Sequence, residues 1–262
     1  MSRLVLITGA SSGIGQALAL AYAQAGWRLA LVARREAVMR EWLQDAGLTQ
    51  TEVRLYVADV GDANAMREVG QRCISHQGLP DVVIANAGIS RGLSTEVFQD
   101  LAWFENTLRT NVLGVAHTFH PFIDPMRARG SGRLVGVSSV AGVRGMPGHG
   151  AYCASKAACT AYCESLRGEL RGTGVMVTAL LPGYIDTPLT RGNRFPMPFL
   201  MQAPAFAQRA LKAIELGKAM EVIPWPMAFV AWMLKWLPTS WLDRALAKQP
   251  RKQRMDGADQ GH

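Results

Sequence analysis

The sequence predicts a doubly wound α/β fold, a single parallel sheet with helices on both faces. Two observations carry this reading. Short apolar runs rich in β-branched residues alternate with helical patterns through the first 180 residues, and such alternation sets successive strands parallel, because each crossover must return over one sheet face. The strand runs are also apolar almost without a break, as strands covered on both faces must be.

Taken in order, Leu4–Ile7 reads as the first strand and Gly13–Ala25 as its helix. Leu29–Val32 is followed by Arg35–Ala46, Val53–Val57 by Ala63–His76, Val82–Ala85 by Trp103–Arg129, and Arg133–Val137 by Tyr152–Arg171. Val175–Leu181 closes the regular series. Phe206–Leu216 then carries a helical pattern, and Glu221–Ile223 a short last strand. At 262 residues one domain is expected. It comprises a core over 1–190, a flap, helix and final strand over 191–224, and an apolar helical extension with a basic tail over 225–262.

The net charge is +8, and its excess is concentrated between Lys235 and Arg254, where Lys235, Arg244, Lys248, Arg251, Lys252 and Arg254 face Asp243 alone. No interleaving of basic and aromatic residues marks a nucleic-acid groove, so nucleic acid is not an expected partner. The cysteines, Cys73, Cys153, Cys159 and Cys163, form no CxxC pair and no Cys/His spacing. Reduced thiols and no metal are expected. The apolar run in MSRLVLITG is too short for a signal peptide and reads as a strand. A cytoplasmic protein is therefore expected.

The chemistry begins at Gly9-Ala10-Ser11-Ser12-Gly13-Ile14-Gly15, between the first strand and its helix. Glycines allow the tight turn and let backbone approach a pyrophosphate, while free N–H groups and the positive helix end attract the anion. This placement defines a Rossmann-type dinucleotide site, although the GxxxGxG spacing differs from the commoner GxGxxG. At the end of the second strand, NAD-binding units place a carboxylate for the ribose 2′-hydroxyl. Here Ala33 is followed by Arg34 and Arg35. A guanidinium binds a 2′-phosphate that a carboxylate would repel, so NADP(H) is expected over NAD(H), with Arg34 the main contact.

Tyr152 and Lys156 stand four apart at the start of a helix and share one face. A tyrosine near pKa 10 is a poor acid–base group at neutral pH, and a neighbouring ammonium lowers that value. Ser139 follows a strand, placed to hydrogen-bond a carbonyl oxygen as charge develops on it.

With TGASSGIG (Thr8–Gly15), Asp59-Val60, Asn86-Ala87-Gly88, Asn111, Ser139, YCASK (Tyr152–Lys156) and PGYIDTP (Pro182–Pro188), the chain resembles the compact short-chain dehydrogenases/reductases from Arg3 to about Pro188. The resemblance implies a carbonyl–alcohol oxidoreductase working by hydride transfer. It makes Tyr152 the general acid or base and Lys156 the group that lowers its pKa and holds the nicotinamide ribose. Ser139 would polarise the carbonyl, and Asn111 would keep a water in a proton relay. Asp59 and Val60 would meet the adenine, and Asn86, Ala87 and Gly88 would line the cofactor floor. From the last motif, Pro182, Gly183, Ile185 and Thr187 would contact the cofactor. It also implies a homodimer or homotetramer built on the two long helices. A non-catalytic NADP(H)-binding scaffold or sensor is the alternative, and a sugar-nucleotide epimerase a more distant one. Asn86 holding a turn and Asp59 capping a helix remain open.

His117 and His120 are read as core or interface residues; for His149, three before Tyr152, a place near the substrate is the less favoured of the readings left open. Arg191–Pro204 reads as a mobile flap with adaptable Met and Phe walls. In the extension Trp225, Phe229, Trp232 and Trp236 form one helical stripe whose opposite face is also apolar. Two readings stay open: packing on the body or a partner subunit, and peripheral contact with anionic membrane through 225–241. The second makes an apolar, lipid-like carbonyl or alcohol a plausible substrate. Arg251–His262 is expected to be disordered.

Overall fold

The computed structural model of the chain describes residues 2–48, 53–193 and 195–246. Its centre is a parallel sheet of seven strands: β1 (Leu4–Thr8), β2 (Arg28–Ala33), β3 (Val53–Val57), β4 (Val82–Ala85), β5 (Gly132–Val137), β6 (Val175–Pro182) and β9 (Met220–Ile223). Their spatial order is β3-β2-β1-β4-β5-β6-β9. The order reverses between β1 and β4, which opens a crevice at the carboxyl ends of those strands.

Because side chains alternate across a strand, the sheet feeds two cores. Val5, Ile7, Leu29 and Leu31 pack under α1 (Gly13–Gln24), α2 (Glu36–Asp45) and α8 (Ala203–Glu215). Leu4, Leu6, Ala30 and Val32 pack under α3 (Ala63–Gln77), α5 (Gly114–Arg129) and α6 (Gly150–Glu169). Gly70 lets α3 and α5 meet, since a Cβ there would lie 2.3 Å from Pro121 Cβ.

Two elements differ from the sequence reading. The helix expected over Trp103–Arg129 is α4 (Asp100–Leu108), one π-helical turn (Arg109–Leu113) and α5. The widened turn surrounds Asn111, whose buried amide bonds neighbouring elements, a setting typical of such turns. The apolar extension is likewise two helices, α9 (Pro226–Trp236) and α10 (Thr239–Leu246). Pro238 breaks them, and Leu237 before it is extended (ψ 129°), since proline disfavours helical backbone in the preceding residue.

Nor is α9 buried all round. Met227 and Ala231 join the core, whereas Trp225, Phe229, Trp232 and Trp236 are each 60–75% exposed. The stripe thus does not pack on the body of this chain. Beyond the earlier expectations lie the two-stranded pairing of β7 (Ile185–Asp186) with β8 (Met201–Gln202), and the short helix α7 (Pro188–Arg191). Arg251–His262 lies outside the described residues, and so does Arg194 of the flap.

A buried clasp fixes the crevice. Thr8 Oγ1, at the end of β1, accepts the backbone N–H groups of Asn86 and Ala87 at 3.1 and 3.2 Å, and donates to the Ile84 carbonyl. An isosteric Thr8→Val removes the acceptor and strands two N–H groups, at about 1–3 kcal/mol. Thermal unfolding should show a midpoint several degrees lower, with the crevice loosened before the rest of the sheet in hydrogen exchange.

Candidate active site

Two cavities open on the crevice. One, of about 400 Å³, runs along the carboxyl ends of β1, β2 and β4. The other, of about 210 Å³, lies beneath the C-terminal elements. Tyr152, Pro182 and Leu189 line both, so the cavities meet at the tyrosine.

The first cavity contains most of the predicted cofactor residues. Gly9, Ser11, Ser12, Gly13 and Ile14 form one wall, Arg34, Arg35, Asp59 and Val60 one end, and Asn86, Ala87 and Gly88 the floor. Lys156, Pro182 and Thr187 close the other end. The turn has no room for side chains. Gly9 has φ +68°, and a Cβ there would lie 2.7 Å from Ala87 Cα. A Cβ on Gly15 would fall 2.3 Å from the Gly9 carbonyl oxygen. The amide of Asn86 lies against this turn and donates to the Thr8 and Gly9 carbonyls at 3.0 and 3.4 Å. Asn86 therefore holds the turn as well as lining the floor.

Three predicted cofactor residues are not on the cavity wall. Gly15 is buried behind the turn, Gly183 lines the second cavity, and Ile185 is packed in the core. Asp59 caps no helix: its Oδ1 accepts the Gly61 N–H at 2.8 Å, while Asp62 caps α3. Thr187, a buried N-cap to α7, stands against Gly13.

At the adenosine end Arg34 pairs with Asp59 at 3.6 Å, and Arg35 donates to Ser11 Oγ at 3.2 Å. The Arg34 pair is more than half exposed, so it contributes about 0–1 kcal/mol. A phosphate bound by charge-assisted hydrogen bonds gains more, about 1.5–3 kcal/mol each. These residues can hold a dinucleotide, and two guanidiniums, Arg34 and Arg35, line this end of the cavity.

The catalytic side is built on α6. Lys156 is 5% exposed, and its ammonium donates to the Val137 carbonyl at 2.8 Å, 5.7 Å from the Tyr152 ring. Burial lowers its pKa, as expected for an ammonium out of water. Burial also raises the Tyr152 phenol to about 12, opposed by its hydrogen bond with Ser139. Burial therefore favours the neutral phenol at this residue. Ser139 Oγ accepts the Ala141 N–H at 3.1 Å, which aims the hydroxyl.

Asn111 is fully buried and lines neither cavity. Its amide donates to Ile89 O and Ser155 Oγ, both at 2.9 Å, and its Oδ1 accepts the Ile89 N–H at 2.8 Å. Ser155, which sequence reasoning passed over, donates in turn to the Tyr152 carbonyl at 2.8 Å. Ser138, also passed over, bonds the Lys156 carbonyl at 2.6 Å. Their signal was present, a polar residue beside each matched position, but only contact reveals their role. His149 lines the second cavity with its ring 5.7 Å from that of Phe195. His117 bonds the Val60 carbonyl at 2.9 Å, and His120 lies on the surface.

A groove able to hold a dinucleotide that meets a second cavity at Tyr152 is an arrangement suited to nicotinamide-dependent oxidoreductase chemistry. Comparison with known proteins places it further: the family model for short chain dehydrogenase matches residues 3–196, and the chain belongs to that family. An uncharacterized oxidoreductase of Myxococcus xanthus is 42% identical over 93% of this chain and 96% of its own length. An alcohol dehydrogenase from the archaeon Thermococcus sibiricus, solved with 5-hydroxy-NADP, superposes with a TM-score of 0.73. It is 29% identical and covers 85% of this chain and 96% of its own. A variant actinorhodin polyketide ketoreductase with NADPH gives a TM-score of 0.76 at 26% identity, over 85% and 95% of the two chains.

Two outcomes follow. Gly15→Ala should abolish dinucleotide binding by fluorescence titration, because the clash is with backbone rather than a movable side chain. If Tyr152 is the acid–base group, reduction would consume the proton of the phenol and oxidation would require the phenolate. With the Tyr152 pKa raised, kcat/KM for oxidation should climb with pH through the alkaline range, while that for reduction stays level and then falls.

Proposed function

We propose that the chain interconverts an apolar carbonyl compound and its alcohol with NADP(H) in preference to NAD(H). The observation that carries this is the position of Tyr152, at the only opening shared by the dinucleotide groove and the second cavity among the described residues. When bound, the nicotinamide supplies or accepts a hydride. In reduction the Tyr152 hydroxyl gives its proton to the substrate oxygen, and the Ser139 hydroxyl donates a hydrogen bond to the same atom. An ammonium has three donors and Val137 takes one, so Lys156 can hold ribose hydroxyls while fixing the phenol's surroundings. Asn111 and Ser155 act through the α6 backbone, keeping Tyr152 at the junction.

The substrate reading rests on the second cavity. Val140, Met146, Phe195, Pro198, Met227 and Leu234 are among its apolar lining residues, beside the polar Arg144, His149, Thr190 and Asn193, which favours a largely apolar body with its reacting polar end at Ser139 and Tyr152. The NADP(H) preference rests on Arg34, Arg35 and the absence of a carboxylate at Ala33; the NADPH-bound ketoreductase and the NADP-analogue-bound dehydrogenase are consistent with it. A homo-oligomer is supported by the exposed face of α6, where Ala154, Ala157 and Ala161 offer a smooth surface for helix pairing. A cytoplasmic site is part of the same proposal.

Fluorescence titration should show NADPH binding at least tenfold tighter than NADH. Arg34→Ala should weaken NADPH about 10- to 100-fold with little change for NADH. Equal affinities in the unaltered protein would overturn the preference. Tyr152→Phe should retain NADPH binding and lose about 10²-fold or more in turnover of apolar ketones. An undiminished rate would overturn the catalytic assignment and leave a binding protein.

A further inference from the structure

The exposed face of α9 is unlike the rest of the surface. Over eleven residues it presents Phe229, Trp232, Met233 and Trp236, with Trp225 just before it and Trp241 beyond the Pro238 break, each 46–75% exposed. Phe229 and Trp232 stack on one another, ring centroids 6.0 Å apart, and among the described residues nothing else covers them. A contiguous apolar patch of this kind marks an interaction surface. The helix cannot slide to bury it. Its opposite face is already committed, with Met227 and Ala231 in the core and Met227, Val230 and Leu234 walling the second cavity. Arg144, from the loop beyond Ser139, donates to the Leu237 carbonyl where α9 ends.

Charge identifies the occupant. Lys235 and Arg244 lie exposed beside the aromatic residues, and from Lys235 to Arg254 the sequence carries six basic residues against Asp243 alone, ahead of Asp256 and Asp259. A second copy of the same patch would bring these like charges together, because a two-fold contact is self-complementary. An anionic lipid surface complements them, and tryptophan favours the boundary between headgroup and acyl chain. At about 1.5 Å per residue, α9 is about 16 Å long, half the hydrocarbon thickness. Among the described residues no helix is long and apolar enough to cross a membrane. This one would lie in the surface.

We propose that α9 and α10 seat the protein on anionic membrane through this aromatic face, so that an apolar substrate passes from the lipid along the inner face of α9 to Tyr152. The substrate half rests on the function proposed above; the docking half does not.

The test uses the full-length protein and two kinds of vesicle, neutral phosphatidylcholine and phosphatidylcholine with about a third phosphatidylglycerol. Flotation with the anionic vesicles and a blue shift of tryptophan emission are expected, with at least tenfold weaker binding to the neutral ones. Phe229→Ser combined with Trp232→Ser and Trp236→Ser should abolish flotation while NADPH binding persists. Lys235→Glu with Arg244→Glu, which leaves the aromatic face intact, should weaken binding by tenfold or more. Failure of the unaltered protein to float, or flotation of the triple serine variant, would overturn the proposal. So would a triple variant of lower oligomeric state by light scattering, which would assign the face to a second copy. Flotation without NADPH binding would leave docking standing and remove the catalytic reading instead.

Discussion

The site depends on a polar clasp buried where the strand order reverses. A crevice between diverging crossovers exists in any doubly wound sheet, but its walls must hold their spacing while backbone groups remain available to a ligand. Thr8 and Asn86 meet that requirement from opposite strands. The threonine hydroxyl takes two N–H groups at the end of β4, and the asparagine amide returns to two carbonyls at the end of β1. With these groups satisfied, the glycine turn can bring bare backbone to the groove without leaving buried polar atoms unpaired. The spaces at Gly9 and Gly15 are the other half of the same arrangement, since any side chain would collide with what the clasp holds in place.

A second polar network does for the reacting side what the first does for the cofactor side. Asn111 joins the segment after β4 to α6, Ser155 passes the connection to the Tyr152 backbone, and Ser138 and Val137 bind Lys156 at both its carbonyl and its ammonium. The π-helical turn around Asn111 widens the helix where its amide must reach inward. The network leaves Lys156 buried with one strong acceptor, and burial favours the neutral phenol at Tyr152. Burial of both groups, rather than their mutual attraction, sets that state.

The C-terminal part has a different logic. From Tyr184 onward it supplies walls instead of chemistry: Phe195 against His149 and Tyr184, then Met227, Val230 and Leu234 from α9. One face of α9 encloses the cavity while the other stands in solvent with its aromatic residues. The helix is therefore a partition between the reacting centre and whatever covers that outer face.

Much of this was legible in the sequence because its causes are local. Unbroken apolar runs specify covered parallel strands, and the glycine turn, the arginines after β2 and the i, i+4 pair of Tyr152 and Lys156 carry their chemistry in their spacing. What the sequence could not decide depends on which surfaces meet. A single helical pattern over Trp103–Arg129 gave no sign of the π turn, whose Asn111 bonds Ile89 and Ser155, residues distant in the chain. Ile185 sits within a motif yet points into the core, and Ser138 and Ser155 matter only through partners distant in the chain. The aromatic stripe was plain in the sequence, but its exposure followed only once the opposite face of α9 was committed to the cavity. Periodicity and spacing determined the elements and the chemistry; tertiary packing decided burial, pKa and direction, since these are properties of neighbours that the chain brings together only by folding.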